Sequence, residues 1–468
     1  MKYLKIALIL FFAAGLSAET FQYPDIAGLT YKPINWTPQK PIRRQLDNGI
    51  VVYLLEDHEL PFIDAGMYIK AGALYDTKDK VGLAALTAQT LRAGGTKNIS
   101  PDEINNKLEY DASEIEFNTS GSYVHCSFAA LKENFDATLN LLVDILMNPA
   151  FQEDKFKAEV TSVQEGIRRR NDSPVDAGLT NFTKKLRKGH PTGWFTTLET
   201  VNNISRKDVI AFHKKYYVPD GAIIAIAGDF NADSIVNELN VAFKEWKKTN
   251  VKLPVIPDIP LKYERKVYYV EKDVSQSTII MGHLGILKKD PNLYPLEIGN
   301  YILGGSMSSW LHRAVRDNAG LAYLINSYFT PGQLYRGNIG AFSQTDAKNT
   351  VKTVEIILSE IDRITKTEVD SIEFAKTKDA IKNRFIFKFE SPFDIVMNQA
   401  SLEFFNMPLD FYDKYLGNID KVTRTSMLDA LKQNLFADKM EILVVGNAKY
   451  FDKSLSTLGT VEKIKLEK

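Results

Sequence analysis

The chain has 468 residues, with 58 Lys+Arg against 58 Asp+Glu, so its formal net charge is zero. Hydrophobic residues make up 44% and charged residues 25%, ordinary globular values that exclude a disordered, collagen-like or wholly membrane-embedded chain. Balanced charge gives no global attraction to nucleic acid, and the basic runs KKLRK (184–188) and RRR (168–170) read as solvated helix faces.

Residues 1–18 have the layout of a secretory signal peptide. Lys2 and Lys5 precede an apolar run, IALILFFAAGL (6–16), and small residues end at Ala18. The run is short for a membrane span, and no later stretch approaches the roughly 18 apolar residues a span needs. The expectation is an exported chain without a membrane span after signal removal, periplasmic if the source is a Gram-negative bacterium. Cys126 is the single cysteine, so no intrachain disulfide and no Cys-rich metal site can form. It lies in the strand-like SYVHCSFAAL and reads as a small buried hydrophobe.

After a Pro-rich lead-in (19–41) the pattern becomes regular. Strands are predicted over 49–57 and 62–72. A helix over 80–96 ends at Gly94-Gly95. A second, over 101–111, starts with Ser100 as N-cap and Pro101 at the first helical position. Two strands meet at Ser120-Gly121 within 114–133. An amphipathic helix follows over 133–149, then a long polar one over 154–172. A helix over 204–217 precedes a buried strand over 222–230.

That order recurs. VYYVEKD (267–273) echoes VVYLLED (51–57), VVGN (444–447) echoes IAGD (226–229), and YILGGSMSS (301–309) matches the helix ending LRAGGT (91–96). Near-equal offsets at both ends of so long a segment imply duplication. The expected fold class is α+β: two similar domains, 42–246 and 267–468, each an antiparallel-rich sheet with helices packed on one face. The segment 247–266, with three prolines, reads as an extended linker.

Active-site motifs are scarce. No phosphate-binding loop, G-x-S-x-G elbow or dinucleotide fingerprint is present, and neither H-E-x-x-H nor H-x-x-E-H occurs. The six histidines are His58, His125, His190, His213, His283 and His312. No two have the spacing that lets one helix supply a pair of metal ligands.

The segment LDNGIVVYLLEDHELPFIDAGMYIKAGALYD (46–76), with GLAALTAQTLRAGGT (82–96), resembles the N-terminal domain of the insulinase-like zinc metallopeptidases, the family of pitrilysin and the mitochondrial processing peptidases. HPTGWFTTLETVNNISRKDVIAFHKKYYVPDGAIIAIAGDF (190–230) is similar to the end of that domain, and AGLAY (319–323) to part of the second. The resemblance implies that each chain forms half of a clamshell. It also locates a departure. The family's first zinc His falls on Ala85, its catalytic Glu on Ala88, its second His on Gln89 and its ligand Glu on Gly166. Glu159 matches an acid that supports the ligands in the family. In the second domain, Arg316 and Tyr323 in RDNAGLAY match the family's substrate-binding and oxyanion-stabilising pair. Seven residues also return to one side of a helix, so packing is a competing reading of that spacing.

The resemblance therefore implies a non-catalytic subunit without metal or cofactor of its own. It would lend an Arg/Tyr wall to a zinc-bearing homologous partner that cleaves peptides, as a heterodimer. One alternative is a scaffolding or peptide-binding module with no catalytic role; another is an autonomous peptidase with unusual ligands. Each domain is expected to turn one bare sheet face toward the chamber, and the first half to fold when 247–468 are deleted.

Overall fold

A computed structural model describes residues 37–466; the segment read as a signal peptide, 1–18, and residues 19–36 of the lead-in lie outside the described residues. Residues 37–466 belong to one compact unit built around two six-stranded sheets. The first contains β1 (Ile42–Gln45), β2 (Val51–Glu56), β3 (Phe62–Ile69), β4 (Glu114–Thr119), β5 (Val124–Leu131) and β6 (Ile223–Gly228), in the order β1-β2-β6-β3-β5-β4. The second contains β7 (Lys266–Glu271), β8 (Gln276–Leu284), β9 (Ala322–Thr330), β10 (Asn338–Asp346), β11 (Glu441–Gly446) and β12 (Val461–Ile464), in the order β12-β7-β11-β8-β10-β9.

Five strands of each sheet follow the same path. β2 and β6 pair in parallel, as do β7 and β11, and the remaining three pairings are antiparallel in both sheets. The sixth place is filled differently: β1 precedes its neighbour and runs antiparallel to it, whereas β12 follows its neighbour and runs parallel. The echo of IAGD in VVGN marks the equivalent central strands. At Gly228, φ is +134° and an added Cβ would stand 2.1 Å from Phe62 O, so only glycine fits that strand end.

β6 reads IIAIAG without alternation because both faces of the sheet are covered. On one face its Ile224 and Ile226 join Val52, Leu54, Met67, Leu86 and Leu142 in the core under the first half's own helices. On the other, Ile223, Ala225, Ala227 and Tyr53 pack against Val396, Ala400 and Phe404 of the Pro392–Phe404 helix, which the second half supplies. The exchange is reciprocal. The Pro174–Leu186 helix of the first half lays Phe182 and Leu186 against Val270, Ile280, Leu443 and Val445 of the second sheet. Gly178 permits that approach, since a Cβ there would meet Ile280 Cδ1 at 2.9 Å.

These helices correct two expectations. The sheet faces opposite each half's own helices are not bare; each takes a helix from the other half. The run KKLRK is not a solvated face either. Arg187 is only 6% exposed, and Lys185 pairs with Glu462 at 2.6 Å and sits over the Tyr268 ring. Of the RRR run, Arg168 and Arg169 are exposed, while Arg170 donates to Thr196 O at 2.8 Å. Residues 247–265 carry neither helix nor strand, but they are fastened: His190 Nε2–H donates to Pro257 O at 2.8 Å, and Ile259 is buried in the second half's core.

Candidate functional site

The Leu83–Ala93 helix carries three of the four positions where the family places its metal chemistry. Its N-terminus is set by Asp76, whose buried carboxylate accepts the N–H groups of Gly82 and Ala84, each at 2.8 Å. Burial pushes the Asp76 carboxyl up to about 7, against the pull of the Gly82, Ala84 and Leu83 N–H donors. Four residues apart, Ala85 and Gln89 share a face. With Ala88, Arg92, Glu116 and Glu159 they line a concavity of about 460 Å³.

Glu159 arrives from the Glu153–Arg169 helix, which packs beside the first. Gly166 lies seven residues further along that helix, on the same side, and a Cβ there would meet nothing within 4 Å. The structure thus brings Ala85, Ala88, Gln89 and Glu159 around one space. What they present to a metal is two methyl groups, one amide and a single carboxylate. Zinc wants three imidazole, thiolate or carboxylate ligands at such a site, and these residues do not fit it. Among the described residues, no group of three or more His, Cys, Asp or Glu could hold a metal ion.

Arg92 is a residue that sequence reasoning passes over. It follows Ala88 by four, one helical turn on. Its Nε–H donates to Ile115 O at 2.8 Å and its Nη1 to Asn105 Oδ1 at 3.0 Å, with Glu116 Oε1 3.8 Å from Nε. A fixed guanidinium on this wall opposes any divalent cation placed here. The i, i+4 spacing from Ala88 is the signal that could have found it.

Arg316 and Tyr323 are brought together in the second half. Arg316 lies in a π-helical stretch, His312–Asn318, a wide-turned form that often accompanies functional sites. Leu321 N–H donates to Val315 O at 2.9 Å and Gly320 adopts φ +61°, turning the chain sharply into β9. Tyr323 is the second residue of that edge strand. The guanidinium carbon of Arg316 stands 4.8 Å from the centre of the Tyr323 ring. The seven-residue spacing therefore joins a helix end to a strand start, and the shared-helix-face reading does not apply. Tyr323 is 82% exposed, and Leu324 and Met307 are exposed as well. Arg316 Nη1 also touches Met307 Sδ at 4.0 Å. Neither Arg316 nor Tyr323 lines the concavity beside Ala85.

Fold and site together define a duplicated α+β protein of peptidase architecture whose metal positions carry no metal-binding set. Residues 51–194 match the profile described as insulinase (peptidase family M16), and residues 203–381 match the profile described as peptidase M16 inactive domain. The chain belongs to the insulinase-like M16 peptidase family.

Its relatives carry both kinds of name. The chain is 24% identical over 356 residues to an uncharacterized zinc protease, YmxG, of Bacillus subtilis, covering 75% of this chain and 84% of that protein. It is 23% identical over 460 residues to the non-peptidase homolog YmxG of Helicobacter pylori, covering 96% and 99%. Among solved structures, a peptidase M16 inactive domain from Pseudomonas fluorescens superposes with a TM-score of 0.80 at 22% identity, over 87% of this chain and 98% of that one. Among the described residues no helix is long and apolar enough to cross a membrane.

Proposed function

We propose that this chain is the exported, non-catalytic subunit of a two-chain metallopeptidase. It supplies Arg316 and Tyr323 to a separate zinc-bearing homologue that cleaves peptides. The observation that carries the reading is the Arg316–Tyr323 pair itself, assembled 4.8 Å apart on a surface where Tyr323 is 82% exposed, in a chain whose described residues hold no ligand set for zinc. A phenol can donate to an oxygen gaining negative charge, and a guanidinium can hold a peptide carbonyl. Neither job is of use to this chain's own concavity, where Ala85, Ala88 and Gln89 supply neither a zinc ligand nor a base at the positions that the resemblance assigns to them. The partner brings both.

Two further facts support the reading. Helicobacter pylori has one relative named zinc protease PqqE and another named non-peptidase homolog YmxG, so one organism holds a protein of each description. The first 18 residues carry an export pattern, which supports a periplasmic site of action if the source is a Gram-negative bacterium.

Reconstitution with a zinc-bearing homologue encoded by the same genome tests this. The chain alone should cleave no peptide, and the mixture should cleave one at a chelator-sensitive rate. Arg316→Ala and Tyr323→Phe should each lower the turnover of the pair by a factor on the order of 10² without dissociating it. Unchanged turnover would leave a scaffolding role instead. Stoichiometric zinc with cleavage by the lone chain would overturn the proposal outright.

A further inference from the structure

The second half contains a cavity of about 700 Å³ that has no part in the reading above. It lies beside the Leu293–Gly304 helix, away from the Ala85 concavity, and its volume is in the range of pockets that hold drug-sized ligands. Its walls combine two features. Aromatic rings from Phe385, Phe411 and Tyr415 are packed into one block, Phe385 and Tyr415 stacking with centroids 4.4 Å apart. Three cations, Lys288, Arg384 and Lys388, face the same space.

Those three cations have a single carboxylate, Glu297, among them. Among the described residues no ion pair engages Lys288, Arg384 or Lys388. Glu297 is the single carboxylate in the wall, and it accepts the Tyr415 hydroxyl at 2.5 Å. Lys288 is the telling member. It is partly buried, and its ammonium rests 5.1 Å from the centre of the Phe411 ring. Burial and the neighbouring charge of Lys388 hold its ammonium below the usual lysine range. The Glu297 carboxylate is the one anion that all three cations share, so the lining keeps an excess of positive charge, part of it withdrawn from water, that a bound anion would offset. Asn300 and Gln333 complete the wall, and the side-chain oxygen of each finds no donor within the protein.

We propose that this cavity binds the carboxylate end of an apolar or aromatic ligand, namely the free C-terminus of a peptide that ends in an aromatic residue. The carboxylate would sit among Lys288, Arg384 and Lys388, and the terminal side chain would lie on the Phe385–Phe411–Tyr415 block. Charge-assisted contacts of this kind are the stronger class of hydrogen bond. A free aromatic acid shares this chemistry, and the experiment separates the two sources. Neither Arg316 nor Tyr323 lines this cavity, so the proposal does not rest on the role assigned to that pair.

The test is calorimetric titration of the full chain with three probes: Ala-Ala-Phe with a free carboxylate, the same tripeptide amidated at its C-terminus, and N-acetylphenylalanine. Saturable binding of the free tripeptide is expected, at least tenfold tighter than that of its amide. Lys288→Met should weaken it at least tenfold while leaving the melting temperature of the unliganded protein equal or higher, because a merely structural lysine would lower it. Arg384→Gln with Lys388→Gln, both at exposed positions, should weaken it in the same way and serves if Lys288→Met does not fold. N-acetylphenylalanine binding as tightly as the tripeptide would overturn the peptide assignment in favour of a small aromatic acid. Equal affinity for the amide, unchanged affinity in these variants, or no saturation at millimolar probe would overturn the site.

Discussion

Arg187, just past the first half's Pro174–Leu186 helix, holds its guanidinium 5.2 Å from the ring centre of Tyr335, which lies between β9 and β10 of the second half. Its Nη2 donates to Asn338 Oδ1 at 2.8 Å and to Arg336 O at 3.2 Å, and its Nη1 to Thr192 Oγ1 at 3.1 Å. No carboxylate pairs with it among the described residues, so neutral acceptors and a ring solvate this buried cation. At the opposite joint, Arg43 grips Glu403 through two bonds of 2.8 and 2.7 Å, and the Tyr53 hydroxyl donates to the same carboxylate. Polar clasps therefore flank the two exchanged helices.

Arg187→Ala should cost about 2–4 kcal/mol of unfolding free energy, since it strands buried acceptors and removes a packed side chain. Arg187→Lys should recover little, because an ammonium cannot bridge the same acceptors while lying flat on Tyr335. Urea unfolding followed by circular dichroism measures both. A loss below about 0.5 kcal/mol for the alanine variant would contradict the clasp.

Deletion of residues 247–468 reverses the expectation drawn from sequence. Removing them strips the Pro392–Phe404 helix from Tyr53, Ile223, Ala225 and Ala227, and leaves Phe182 and Leu186 without their sheet. The fragment should aggregate when made alone, because it exposes two apolar faces at once. Co-expression of 1–246 with 247–468 should yield a soluble complex. Size-exclusion chromatography separates these outcomes, and a monomeric, cooperatively folded fragment would refute the argument.

Zinc should return only when several ligands return together. Ala85→His, Ala88→Glu, Gln89→His and Gly166→Glu combined should raise zinc content measured by elemental analysis, whereas Ala85→His alone should not, since one imidazole is a weak ligand set. The open space at Gly166 admits the new side chain. Ala88 is only 1% exposed, so its replacement by Glu should also lower stability. A folded quadruple variant with no more zinc than the parent would mean that these positions do not converge.

Two buried histidines should make the protein sensitive to acid, against the opposite pull of the raised Asp76 and Glu441 carboxyls. Burial pushes both His213 and His283 down to about 4. Each neutral ring is bonded: His213 Nε2–H donates to Leu146 O at 2.9 Å, while His283 Nδ1–H donates to Leu284 O at 2.9 Å and its Nε2 accepts the Phe436 N–H. The unfolded chain takes up protons from about pH 6.5 downward and the folded one does not. This contribution is therefore complete above that pH and is lost as pH falls toward 4, by up to about 3 kcal/mol per histidine. Because Asp76 and Glu441, both raised to about 7, gain stability as pH falls over the same window, the histidine contribution is read as a difference: between pH 7 and 4.5 the urea midpoint of the parent should drop relative to that of His283→Gln. Parallel profiles in the two proteins would exclude His283 as an acid-sensitive group.

The strands and most helices were legible because local pattern carries them. Ser100-Pro101 starts the Pro101–Tyr110 helix through a capping box with Glu103, as its spacing foretold. The duplicated order was legible through the Gly-ended central strands. The stretch 174–186 was not, because its Thr, Asn and Lys mask an apolar stripe only three or four residues wide. The cavity around Lys288 was illegible for another reason: Lys288, Arg384 and Tyr415 are far apart in the chain, and no spacing rule connects them.

Sequence alone determined that Ala85, Ala88, Gln89 and Gly166 offer no imidazole or carboxylate, because methyl groups, an amide and a glycine carry none in any fold. It also determined the α+β class, since hydrophobic periodicity is a property of neighbours along the chain. Tertiary structure alone decided which sheet each amphipathic helix covers. An apolar stripe specifies that a face must be buried, not against what, and here the Pro174–Leu186 and Pro392–Phe404 helices bury theirs on the opposite halves. It likewise decided that Arg316 meets Tyr323 across a turn, where the left-handed Gly320 swings a helix end onto the start of an edge strand.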